Sequence, residues 1–193
     1  MKKLIKLIII IAVLILAIEP LRDGIMKMFY PDEYSFYIQK YSNKYDLDKY
    51  LVMGVISAES NFNPDAVSEK NAKGLMQITE ETAQWCIDNF DIDSSLETYT
   101  QPKENIEIGC AYLKYLFEQF EGNKTNALAA YNAGMGNVKK WLNDPDCSAD
   151  GKELYKSPFT ETQNYVKKVE QREEVYKKLY GKNEMQDSET ITE

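Results

Sequence analysis

The residue best suited to chemistry is Glu59, a carboxyl at the end of an apolar helical stripe in a chain of 193 residues without a single histidine. Missing imidazole excludes serine–histidine triads, cysteine–histidine dyads and H-E-x-x-H zinc sites together. Acid–base work then falls to carboxyl, amine, phenol or thiol groups. Glu59 continues the face set by Val52, Val55 and Ile56, because positions three and four apart share one side of a helix. A carboxyl turned toward a packed face, with no base beside it, loses water and keeps its proton above the usual ~4.3. That is what a general acid at neutral pH requires. The bland alternative is an exposed glutamate at a helix end, the commoner fate of this residue type.

The elements that must position Glu59 follow from punctuation and periodicity. Tyr34, Tyr37, Ile38, Tyr41 and Tyr45 predict a first body helix over 32–45. Asp48 caps the helix that carries Glu59, and Asn61, Asn63 and Pro64 end it. A polar loop over 63–73 follows. Thr79 with Glu80 and Glu81 opens a helix to about residue 90. Pro102 opens a long helix to 120, striped by Ile106, Cys110, Leu113, Phe117 and Phe120 and stopped by Gly122. Shorter helices are expected over 125–131 and 138–143, then a turn-rich insertion over 144–157. Thr160 with Gln163 reads as a capping box opening a last helix to about 180. No alternating stretch argues for a sheet. The expectation is a mainly α, single domain of six or seven helices over 32–181, between a linker at 19–31 and an acidic disordered tail at 182–193.

Composition narrows the function classes. The formal net charge of −8 becomes −11 once Lys2, Lys3 and Lys6 are set aside. Such a body repels phosphates, which argues against nucleic acid as a partner. Residues 1–18 have a basic start and twelve unbroken apolar residues from Leu7, the pattern of a signal peptide or membrane anchor. Twelve is short of the ~18–20 of a spanning helix, and no small-x-small cleavage site stands out, so both fates stay open. Uncleaved, the cytoplasmic membrane is a partner through residues 4–18; either way the body lies outside the cytoplasm, membrane-anchored or secreted. Cys86, Cys110 and Cys147 form no C-x-x-C pair, so no metal site is expected. Cys110 suits a buried thiol, and one disulfide of undetermined pairing is compatible with export.

Five ordered blocks carry a family likeness. They are Ala58-Glu59-Ser60-Asn61-Phe62, Lys73-Gly74-Leu75-Met76-Gln77, Asn105-Ile106 with Gly109 and Tyr112-Leu113, Ala129-Ala130-Tyr131-Asn132-Ala133-Gly134, and Glu161-Thr162 with Tyr165-Val166. Together they resemble the lytic transglycosylases over about residues 33–180. The resemblance implies a lysozyme-like fold with a glycan-binding cleft, acting as a monomer on peptidoglycan strands at the bacterial cell wall without metal or cofactor. It makes Glu59 the catalytic residue and Ser60, Gly74, Met76, Gln77, Tyr131, Asn132 and Tyr165 the substrate-binding set. Taken singly, Ser60 also suits a helix C-cap, Met76 suits core packing, and Gln77 offers an amide able to read an acetamido group. Lys49 and Met135 stand where the family often has proline, and Gln163 where arginine is common; none of these removes a catalytic group.

A one-carboxyl mechanism follows from the resemblance. Glu59 protonates the glycosidic oxygen of the MurNAc-β-1,4-GlcNAc bond, then as carboxylate accepts the proton of the muramic acid 6-hydroxyl as that oxygen attacks C1. The product is a 1,6-anhydro end. Glu69 and Glu80 read as solvated surface charge. The alternatives are a hydrolytic muramidase on the same fold, a non-catalytic wall-binding protein, and a membrane-anchored scaffold.

Overall fold

The computed structural model describes the backbone of residues 2–190 and the side chains of residues 5, 6 and 18–181. Among the described residues there are eight helices: α1 Lys2–Phe29, α2 Ser35–Lys44, α3 Lys49–Glu59, α4 Glu80–Asn89, α5 Pro102–Gln119, α6 Lys124–Ala133, α7 Met135–Leu142 and α8 Thr160–Thr190. No strand is present among them, only isolated bridges joining Lys73 to Val67 and to Ile78. The chain divides into a larger unit, Glu33–Glu174, and a smaller one made of α1 and the part of α8 after residue 174. The larger unit holds α2 to α7 and the first half of α8, so the expected helical body has seven helices.

In the larger unit α5 is central and packs against α2, α4 and α6. Its stripe is wider than periodicity implied, because Asn105, Glu107, Ile108 and Gly109 are buried along with Ile106, Cys110 and Leu113. Two buried polar side chains on one helix demand partners. Glu107 finds the Lys44 ammonium of α2 at 2.7 Å, and Asn105 is saturated by loop backbone described below. The helix boundaries obey the expected punctuation. Asp48 accepts from the Tyr50 amide at 2.7 Å, and Thr79 from Thr82 at 3.2 Å. Pro102 lies in the first turn of α5, and the Gly122 amide donates to Phe117 at its end.

Three local expectations are corrected. Residues 19–29, read as a linker, continue α1 through Pro20. An interior proline costs about 3 kcal/mol, but strong helix formers flank it. The end of α1 is also held within its own unit, where Tyr180 donates to the Tyr30 carbonyl at 2.7 Å and Tyr30 meets Tyr176 edge-on. Residues 182–190, read as disordered, prolong α8, since extending an existing helix through Lys, Glu, Met and Gln costs little; 191–193 lie outside the described residues. The third correction is at the start of α8, where the Gln163 amide donates to the Ser157 carbonyl instead of closing a capping box on Thr160. Among the described residues no helix is long and apolar enough to cross a membrane, and the side chains of 7–17, the core of the expected anchor, lie outside them.

The insertion at 144–157 is irregular but packed. Asn126 of α6 reads it with both ends of its amide, donating to Lys152 and accepting from the Leu154 amide. Cys147, Ser148 and Leu154 are buried there. All three cysteines are buried and unpaired.

Candidate functional site

Glu59 is the last residue of α3, a helix buried along nearly its whole length. Beyond Ser60 the chain leaves through two left-handed residues, Asn61 at φ 52° and Phe62 at φ 63°. A bulky residue with positive φ is strained, and burial of the Phe62 ring holds it there. The Ser60 hydroxyl donates to Leu75 at 2.8 Å, tying the end of α3 to the 73–78 loop.

That loop is braced from α5. The Asn105 carbonyl oxygen accepts from the Met76 amide at 2.8 Å, and its NH2 donates to Lys73 at 3.0 Å and Tyr99 at 3.1 Å. Gly74 makes room for it: φ is +79°, and an added Cβ would lie 2.7 Å from the Asn105 amide. Gln77 adopts φ 51° and folds its amide back onto the Ala66 and Gly74 carbonyls, both at 3.0 Å. Tyr131 of α6 closes the assembly by donating its hydroxyl to the Met76 carbonyl at 2.9 Å.

These contacts frame a groove of about 410 Å³ lined by Glu59, Gln77, Thr79, Tyr131, Asn132, Glu161 and the loop residues Ser68, Glu69, Lys70 and Ala72. Of the residues expected from sequence, Glu59, Gln77, Tyr131 and Asn132 therefore meet in one cavity. Tyr165 lies behind them, buried near the Glu59 carboxyl. Ser60, Gly74 and Met76 do not line it: Ser60 is a tether, Gly74 a close-approach position, and Met76 is wholly buried with its backbone bonded on both sides. Asn132 is oriented by the Thr162 hydroxyl at 2.9 Å.

Several groups at the site escape a reading of the sequence. Glu69, taken as surface charge, is exposed yet lines the groove, as do Ser68, Lys70 and Thr79. Asn105 organises the loop without touching the cavity. Glu161, noted only within a motif, adds a third carboxyl to the lining. A saturated buried amide beside a glycine-led turn gives no periodic signal.

The surroundings of Glu59 suit it to proton transfer. Burial pushes the Glu59 carboxyl up to about 7; Tyr165 and the Lys168 ammonium pull it back, and Glu161 adds to the rise. Glu69 and Glu161 are exposed. The Tyr165 hydroxyl is buried without a hydrogen bond of ordinary geometry, although it lies close enough to interact with Glu59. Burial, with Glu59 and Tyr131 nearby, keeps the Tyr165 phenol well above its usual range, so it stays a neutral donor. The groove thus offers one carboxyl able to hold a proton at neutral pH, beside amide and phenol groups suited to sugars.

A helical unit with a half-buried carboxyl at the end of a buried helix, facing an open groove, defines a lysozyme-like cleft domain. Comparison with known proteins gives the family. Residues 36–153 match the transglycosylase SLT domain model. The chain is 36% identical over 165 residues to a soluble lytic murein transglycosylase of Salmonella typhimurium, covering 83% of this chain and 26% of that protein. It is 30% identical to the membrane-bound lytic murein transglycosylase C of Histophilus somni, covering 72% and 45%. The 70 kDa soluble lytic transglycosylase of Escherichia coli superposes with a TM-score of 0.71 at 32% identity, over 80% of this chain and 26% of that one. An inactive glutamate-to-glutamine mutant of lytic transglycosylase Slt from Pseudomonas aeruginosa superposes at 0.70, with 31% identity, over 79% and 25%. The chain belongs to the transglycosylase SLT domain family. It spans about a quarter of the length of the soluble relatives it matches.

Proposed function

We propose that the chain is a lytic transglycosylase that cleaves the MurNAc-β-1,4-GlcNAc bond of peptidoglycan strands without water. Glu59 acts first as acid and then as base. The observation that carries this reading is the half-buried Glu59 carboxyl at the end of α3, which lines the groove and is pushed up to about 7. Neutral Glu59 gives its proton to the glycosidic oxygen as the C1–O bond breaks. The 6-hydroxyl oxygen of the same muramic acid then bonds to C1, and its proton passes to the Glu59 carboxylate. The enzyme returns to its starting state, and the glycan keeps every atom. Proximity favours the internal hydroxyl over water. Gln77, Asn132 and Tyr131 present the groups that would hold the sugars, and Tyr165 stands by to donate to Glu59 in its charged state. The relatives' names, lytic murein transglycosylases, agree with this substrate. Inactivation of a structural neighbour by a glutamate-to-glutamine change agrees with a carboxyl at the centre.

In this reading residues 32–181 form the catalytic domain, which acts as a monomer at the wall outside the cytoplasm. Residues 1–18 export or anchor it. One observation favours the hydrolytic alternative: Glu69 and Glu161 line the same groove and offer a second carboxyl to activate water. Digestion of purified wall separates the two. A transglycosylase leaves 1,6-anhydro ends, lighter by one water than a muramidase's reducing ends. Glu59→Gln is expected to lower turnover by about 10²–10⁴-fold; near-normal turnover in that variant refutes the assignment.

A further inference from the structure

The four last carbonyls of an α-helix lack partners within it. At the end of α3 three of them, on Ile56, Ser57 and Ala58, are taken up in an ordered way. The Ile56 carbonyl accepts the Ser60 amide at 3.0 Å. The Ser57 carbonyl accepts Arg172 at 2.7 Å, and the Ser57 hydroxyl contacts the same nitrogen. The Ala58 carbonyl, next to Glu59 along the chain, accepts the Lys168 ammonium at 2.6 Å. Both cations come from α8, spaced i and i+4 on one face, and are more than a hundred residues away in sequence.

The backbones meet at the same place. A Cβ added to Gly54 would lie 3.0 Å from the Val169 carbonyl and 3.1 Å from the Glu173 amide. Glycine spares this crossing a tight backbone contact, and the close approach of α3 to α8 brings the two cations within reach of the last turn. On its far side Glu173 is held by Lys124 at 2.9 Å. The register of α8 against α3 is thus pinned one turn at a time, ending at the residue that carries the carboxyl.

We propose that Lys168 and Arg172 are positioning residues for Glu59: they hold the terminal carbonyls of α3 in place, and the Lys168 ammonium supplies the positive charge facing the carboxyl. Arg172 fixes the turn. Lys168 fixes it and also favours the carboxylate that must form when the proton leaves, so the second half of the cycle begins from a less costly base. Other charged or titratable groups around Glu59 are Tyr165 and Glu161 on α8, Tyr131 on α6, and Glu69 and Lys70 on the loop lining the groove. Lys168 is the cation that acts on Glu59 directly, opposing the effect of burial.

The inference rests on Glu59 being the acid, so its test reads that carboxyl directly as well as through activity. Full-length wild type, Lys168→Met, Lys168→Arg and Arg172→Met would be titrated by carboxyl 13C NMR, with Glu59→Gln assigning the signal. The same proteins would be assayed for wall cleavage from pH 5 to 9. Because Lys168 keeps contact with solvent, its charge effect is moderated. Lys168→Met is expected to raise the Glu59 midpoint by about half to one pH unit and carry the alkaline limb of activity upward with it. Its kcat at the optimum should fall about tenfold with little change in KM, and Lys168→Arg should restore both midpoint and rate. Arg172→Met should lower kcat without moving the limb. If Lys168→Met fails to fold, Lys168→Gln serves as the neutral variant. A folded neutral variant with the wild-type midpoint and rate overturns the proposal. A midpoint that moves as described in a protein that cleaves no wall glycan refutes the proposed activity and leaves the positioning role standing.

Discussion

A carboxyl held near pH 7 destabilises the folded chain that holds it, and the cost is measurable. In the unfolded chain Glu59 titrates near 4.5, and in the folded chain near 7. A raised folded value means that the folded state binds the proton more tightly. The associated stability is fully present below about 4.5 and is lost as the pH climbs through about 7. Each pH unit across that window is worth about 1.4 kcal/mol, giving roughly 3 kcal/mol in all. Allowing for the solvent that Glu59 still meets, about 2–3 kcal/mol is expected. Glu59→Gln carries no titrating proton and escapes the loss. Urea unfolding of wild type and variant should therefore give stabilities within about 0.5 kcal/mol at pH 4.5. At pH 8 the variant should be about 2–3 kcal/mol more stable, with equal m-values. Equal stability at both pH values would show that the carboxyl is solvated like any surface glutamate, and the reasoning that makes it an acid would fail.

Two further outcomes follow from the scaffold. Asn105→Ala removes three hydrogen bonds and strands the Met76 amide, so it should destabilise the chain by about 3–5 kcal/mol in urea unfolding; a loss under 1 kcal/mol would mean the loop is braced elsewhere. Burial pushes the Cys86 thiol up to about 12 and Cys110 higher still. Both should resist alkylation at pH 8 until the chain unfolds, and mass-spectrometric detection of rapid labelling of the native protein would contradict their burial.

Much of the scaffold was legible because its signals are local. Asp48, Thr79, Pro102 and Gly122 mark helix ends by their own chemistry, and the Val52–Ile56–Glu59 stripe points the carboxyl inward by spacing alone. Pro20 misled for the same reason. Its penalty is local, while what sustains α1 past it includes contacts with Tyr176 and Tyr180 far along the chain. The groove was half legible. Glu59, Gln77, Tyr131 and Asn132 lie in recognisable blocks, but Glu69 and Lys70 reach the cavity only because Lys73 bridges to Val67 and Ile78 and folds the loop over. The cations that grip α3 are more than a hundred residues from it, and a lysine on a polar helix face carries no mark of its target.

The Tyr131 hydroxyl on the Met76 carbonyl has a consequence for how the groove is mounted. One wall hangs from α5 and α6 through Asn105 and Tyr131, whereas the carboxyl hangs from α3 and α8 through Gly54, Lys168 and Arg172. The two mounts are joined by the Ser60 tether, by Thr162 of α8 on Asn132 and by Lys124 of α6 on Glu173, none of which passes through the turn at 68–72. Under the proposed function, substitutions in the turn at 68–72 would therefore reshape which saccharides fit while Glu59 keeps its seat, a separation that suits the groove to redesign.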